Sequence, residues 1–126
     1  MKATSSRNTS AAITKSRYVF RMKALVVLST APDLKTAKSI ARHLVARKLA
    51  ACVSVKGGFS SCYRWKGKIE NSTEALLLIK TSRRNFSKLK HHLESYHPYE
   101  VPEIVGIPIV EGSPTYLSWL NRCLEK

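Results

Sequence analysis

The stretch ACVSVKGGFSSCYRWKGKIENSTEALLLIKT, residues 51–81, decides the fold. Ala51, Val53 and Val55 alternate against Cys52 and Ser54, the two-residue period of a half-buried strand. Gly57 and Gly58 interrupt the alternation, as a bulge or bend does. It then resumes with Phe59, Ser61, Tyr63 and Trp65 on one side and Ser60, Cys62 and Arg64 on the other. Lys66-Gly67-Lys68 reads as a hairpin turn. The returning arm, 69–81, contains the unbroken apolar run 75–79, expected of a strand covered on both faces.

On the N-terminal side, residues 23–29 form a short apolar run read as a buried strand. Thr30-Ala-Pro-Asp33 follows with a breaker and a helix N-cap. Ala37, Ile40, Ala41, Leu44 and Val45 then recur at helical spacing, ending near Lys48, where a cation suits the helix dipole. On the C-terminal side Ser82 caps a second helix with the stripe Phe86, Leu89, Leu93 and Tyr96, and His97-Pro98 stops it. Residues 103–110 read as the last strand, with Pro108 at an edge or bulge. Ser113-Pro114 opens a C-terminal helix. The order βαββαβ plus a final helix predicts an α+β fold of the ferredoxin-like, split βαβ type: a four-stranded antiparallel sheet with two helices on one face.

The hairpin arms far exceed a mean strand of about 5–6 residues. Two moderate helices cannot cover so long a ribbon, which would project aromatic side chains and open edges. Either the Gly-Gly bend returns it to its own domain, or other copies pair with it in a closed oligomer. The second is expected.

The formal charge of +14 is uneven: residues 1–23 hold six cations and no acid, and the rest holds sixteen cations and eight acids. Arg42, Arg47, Lys48, Arg83, Arg84, Lys88 and Lys90 fall on the polar faces of the two helices, so they read as solvated rather than as a nucleic-acid footprint. No RNP-type, zinc-finger or GxxG signature argues for nucleic acid. No apolar run approaches the roughly 18 residues of a membrane span. Cys52, Cys62 and Cys123 are odd in number and widely spaced, which points to free thiols, a reducing compartment and a cytoplasmic location. Residues 1–22, basic and rich in Ser and Thr, read as a disordered tail or as a transit peptide for mitochondria or another organelle, ahead of a domain spanning 23–126.

Six motifs then follow in order: Thr30-Ala-Pro-Asp33, Lys48-Leu-Ala-Ala-Cys-Val53, Tyr63-Arg-Trp-Lys-Gly-Lys68, Ile79-Lys-Thr81, His97-Pro-Tyr-Glu-Val-Pro-Glu103 and Tyr116-Leu-Ser-Trp119. Together they resemble the CutA family of divalent-cation tolerance proteins over roughly residues 23–126. The resemblance implies a homotrimer with hairpins paired between subunits, similar to PII-type signalling proteins with small-ligand clefts. It also implies tolerance of copper and other divalent cations, no catalytic activity and, in animal relatives, a link to anchoring of acetylcholinesterase. The expected partners are thus other copies of the chain and either a metal ion or a small anionic metabolite. No cofactor is firmly implied; copper or another divalent cation is the candidate.

Cys52, His97 and Glu103, with Glu100 near, are competent ligands for copper or zinc, although their spacing matches no metal motif. The copper-binding Cys and His-His pair implied by bacterial relatives fall here at Ser29 and at Tyr96-His97, so part of that set is missing. Trp65, Lys80, Tyr99 and Glu100 are expected to line a cleft or a trimer interface. His43, His91 and His92 read as solvated helix residues, and Cys62 and Cys123 as small buried apolar groups. A Cys-His nucleophile lacks both an orienting third group and an oxyanion loop.

Overall fold

A computed structural model describes residues 24–125; the expected N-terminal tail, 1–22, lies outside them. The strands are β1 (Ala24–Ala31), β2 (Cys52–Trp65), β3 (Lys68–Ser82) and β4 (Val105–Pro108). The helices are α1 (Leu34–Ala46), α2 (Arg83–Tyr96) and α3 (Pro114–Leu124). The sheet is antiparallel in the order β2-β3-β1-β4, so the ferredoxin-like arrangement is the one found.

The continuous apolar run earns its central place. Ala75, Leu77 and Ile79 are fully buried beneath α1 and α2, packed with Val27, Ala31, Ala37, Ile40, Leu44, Leu89 and Leu93. Leu76 and Leu78 point to the opposite face, where they stand beside Thr30 and Leu28. Each helix begins where its cap was legible. Asp33 accepts from the Thr36 N–H at 2.8 Å, Ser82 from Asn85 at 3.2 Å, and Ser113 from Tyr116 at 3.3 Å with Pro114 in the first turn. The α1 exit is locked in depth: the Thr81 hydroxyl donates to the buried Leu49 carbonyl at 2.6 Å.

The hairpin is irregular where glycine allows it. Lys56 pairs with Leu76 and Phe59 with Glu74, so β2 carries one extra residue at Gly57-Gly58, and Gly58 takes a positive φ of 72°. Lys66 and Gly67, at φ 51° and 80°, form the tight turn. Beyond the bulge, pairing runs unbroken to Trp65 and Lys68, a ribbon of about 20 Å at the usual strand rise. Phe59, Tyr63, Trp65 and Ile69 on it are exposed. The last strand is shorter than the expected 103–110. Pro108 has no N–H to extend the ladder, although the Ile109 N–H still reaches the Ala24 carbonyl at 3.0 Å.

The face away from α1 and α2 is the less expected feature. Register places Val26 beside Ile107 and Leu28 beside Val105, continuing the row of Leu76 and Leu78. The four residues on β1 and β3 are only partly covered, and Val105 and Ile107 are 47% and 45% exposed. α3 packs against β3 and β1, and its Leu120 is buried. This apolar sheet face is thus only partly covered, most openly at Val105 and Ile107.

Candidate functional site: an acidic, aromatic cavity beside the hairpin

The loop after α2 is held by the His97 ring. Its Nε2–H donates to the Thr30 carbonyl at 2.7 Å, and its Nδ1 accepts the Tyr99 N–H at 3.1 Å. Both nitrogens are thus engaged, which fixes the tautomer. The Tyr99 ring lies 4.9 Å from the imidazole, and its hydroxyl donates to Glu74 Oε2 at 2.7 Å. Burial foremost, then this hydrogen bond and the Glu74 charge, raise the Tyr99 pKa, so the phenol stays a donor. A chain of contacts runs from β1 through the loop to β3.

These contacts shape a cavity of about 660 Å³ between the loop and the hairpin. Glu74, Glu100 and Glu103 bring three carboxylates to it, against the single guanidinium of Arg64. Tyr63, Trp65 and Tyr99 supply aromatic walls, and Cys62 a thiol. Only eight of the 126 residues are acidic in this strongly basic chain, so three in one cavity is a concentration that composition does not explain.

The expected site residues divide into three groups. Trp65, Tyr99, Glu100 and Glu103 come together in the cavity. His97 stands behind it as a buried prop, with no ring nitrogen free. Cys52 and Lys80 pair with each other elsewhere in the sheet, and Lys80 Nζ donates to Ser54 at 3.0 Å. Lys80 faces Val26, four residues from Thr30 along β1, or about 13 Å at the usual rise. Cys52, His97 and Glu103 are therefore not gathered around one point within a single chain. Among the described residues no three His, Cys, Asp or Glu side chains form a set for one ion. The described residues of one chain therefore do not bring these candidate ligands to a single metal centre.

Two minor expectations are corrected. Cys62 is exposed on the hairpin, because it lies beyond the bulge where no helix covers β2. His43 and His92 are half-buried rather than solvated, since both rings pack with Tyr96 where α1 meets α2. The His43 Nε2 and the Tyr96 hydroxyl are buried there without hydrogen-bond partners. Desolvation, with Arg47 and His92 adding to it, lowers the His43 pKa. Glu74 was overlooked in the sequence. Its signal was an acid placed immediately before the apolar run of the central strand.

Comparison with known proteins agrees with this architecture. Residues 25–123 match the CutA1 divalent ion tolerance protein family. The chain is 50% identical over 97 residues to a divalent-cation tolerance protein CutA of Thermus thermophilus, covering 77% of this chain and 94% of that protein. The crystal structure of CutA from Xylella fastidiosa superposes with a TM-score of 0.78 at 41% identity, over 81% of this chain and 98% of that one. That of CutA1 from Oryza sativa gives 0.80 at 36% identity, over 83% and 96%. Among the described residues no helix is long and apolar enough to cross a membrane. With its hairpin, caps and loop in place, the chain belongs to the CutA1 divalent ion tolerance protein family.

Proposed function

We propose that this chain works without catalysis, as a homotrimer in divalent-cation tolerance, and that it meets cations at the acidic cavity. The observation that carries the reading is the buried carboxylate of Glu74, joined in one cavity by Glu100 and Glu103. Copper and zinc are cargo here rather than resident ions. Carboxylates hold such cations loosely, and Cys62 adds a soft donor on the same wall. The open sheet face and the uncovered outer hairpin support association of several copies, because each leaves apolar surface in water. A cytoplasmic, reducing setting suits three free thiols, one of them exposed. The working domain is 23–126, preceded by the basic segment 1–22.

A small anionic metabolite suits this cavity poorly, since three carboxylates against one guanidinium repel it. A PII-like ligand role at this particular cavity is therefore one for cations.

The test is a titration of Zn²⁺ and Cu²⁺ into the full chain, followed by thermal melting. A cation bound at one hundred times its Kd adds about 2.7 kcal/mol to folding stability. The double substitution Glu74→Gln with Glu103→Gln should remove the metal-dependent rise. An identical rise in both proteins would place the metal elsewhere and end this reading.

A further inference from the structure

We infer that a basic cavity between the end of α1, the body of α2 and the end of α3 binds an anion carrying at least two phosphate groups. This site is separate from the acidic cavity and does not depend on it.

About 480 Å³ of space opens there. Arg47 and Lys48 line it from the end of α1, and Asn85, Lys88 and His92 from one face of α2, at steps of three and four residues. No Asp or Glu lines it, although all eight acids of the chain fall among the described residues. Three of the cations that the sequence spreads over two helices therefore converge without a carboxylate to balance them. Like charges gathered in this way repel, and an anion between them relieves the repulsion. α1 and α2 cover the sheet on the side away from the partly covered apolar face, and the outer hairpin lies at the far end of β2 from Lys48. The surfaces expected to meet other copies are thus elsewhere.

Lys48 occupies a place that glycine would fill more cheaply. α1 closes in a Schellman arrangement: the Leu49 N–H reaches the Leu44 carbonyl at 2.9 Å, and the Lys48 N–H the Val45 carbonyl at 3.0 Å. Lys48 there takes a φ of 58°, a left-handed conformation that glycine adopts freely and a residue with a Cβ does not. A lysine held in that conformation points to a use for its side chain. The helix dipole does not account for it, since Arg47 already supplies a cation at the same terminus. The ammonium is also fixed in place. Its Nζ donates to the Glu125 carbonyl at 3.0 Å, and Asn85 Nδ2 donates to the Lys48 carbonyl at 3.3 Å. The Glu125 carbonyl is neutral, so the charge of Lys48 stays available to a ligand.

The walls choose the ligand. A guanidinium fork, two ammonium groups and a side-chain amide are donors suited to phosphate oxygens. They stand on two elements around a space within the range of small-ligand sites, so a monovalent ion would leave most of them unmatched. Leu49 and Leu124 add an apolar margin on which the organic part of a phosphorylated molecule can rest.

The experiment is calorimetric titration of the full chain, in EDTA to keep metals out, with pyrophosphate, ADP, and sulfate at matched ionic strength. Pyrophosphate and ADP should bind saturably, and sulfate should not displace them. Equal affinities would show that the diphosphate alone suffices; tighter ADP would add a contact for the organic part. Lys48→Gly, which suits the left-handed backbone, should melt no lower than wild type yet bind roughly tenfold more weakly, as for a lost charged hydrogen bond. Lys88→Gln, at an exposed helix position, should lose about as much. Lys90→Gln removes an exposed cation of α2 outside the cavity and should change affinity by less than about twofold. Wild-type affinity in both Lys48→Gly and Lys88→Gln would overturn the inference, as would sulfate competing equally. An equal loss in Lys90→Gln would overturn it too, by revealing a diffuse basic field. Binding of a single-stranded oligonucleotide but of neither small phosphate would make this a nucleic-acid surface and also overturn it.

Discussion

Replacing His97 with Phe isolates what the imidazole does for the site. Phe keeps a ring of similar size beside Tyr99, 4.9 Å from centroid to centroid, but removes both nitrogens. The Thr30 carbonyl then loses its 2.7 Å bond, and the Tyr99 N–H its 3.1 Å bond, in a place where His97 is 9% exposed. A buried polar group stripped of its partner costs about 1–3 kcal/mol. Two such groups, with some relaxation of the loop, give a loss of roughly 2–4 kcal/mol for His97→Phe. In a domain of this size the melting temperature should fall by on the order of 10–20 °C. His97→Gln retains an N–H for the Thr30 carbonyl, so it should lose about half as much. Denaturant unfolding must be run at one fixed protomer concentration, because association would make stability concentration-dependent. Hydrogen exchange should show the amides of residues 98–103 opening in His97→Phe ahead of the sheet. A loss below about 0.5 kcal/mol, with exchange unchanged, would mean that the imidazole is not the prop of this loop.

Leu77 is fully buried between the helices and the sheet, so Leu77→Ala should cost about 2–5 kcal/mol in the same unfolding assay; a loss under 1 would deny it a core position. Gly67 turns the hairpin at φ 80°, so Gly67→Ala should lose about 1–2 kcal/mol, and unchanged stability would contradict the left-handed turn. His43 has a pKa below its ordinary 6.5, so the folded protein binds fewer protons there than the unfolded chain. Its contribution is complete above about pH 6.5 and is lost as the pH falls towards its folded value. Substituting His43→Phe, which fills the place beside Tyr96, should flatten the fall of stability below pH 6.5; an unaltered slope would assign the acid sensitivity to another group.

Local chemistry made most of the fold legible in the sequence. Asp33, Ser82 and Ser113 announced three helices because an N-cap is a short-range device that acts over three residues. Gly58 and Gly67 announced the bulge and the turn because glycine takes a positive φ cheaply. The apolar run 75–79 foretold the central strand, yet its far-side leucines are only partly covered. Periodicity tells that a residue is apolar, not what covers it. The site was legible only in its contiguous part. Tyr99, Glu100 and Glu103 share one loop and were found together, whereas Glu74 reaches them through the pairing of β3. Cys52 was placed with His97 on ligand chemistry alone. The strand register, which the sequence does not display, separates them.

The association of identical chains underlies the proposed function, and sedimentation equilibrium of the full chain measures it most directly. A ribbon and a sheet face left uncovered by their own helices should be covered by further copies. The expected species has three times the 14.1 kDa protomer mass and persists on dilution through the micromolar range. A well-folded species at 14.1 kDa under the same conditions would contradict it, and would leave the exposed Val105, Ile107, Tyr63 and Ile69 as bare solvent-facing surface.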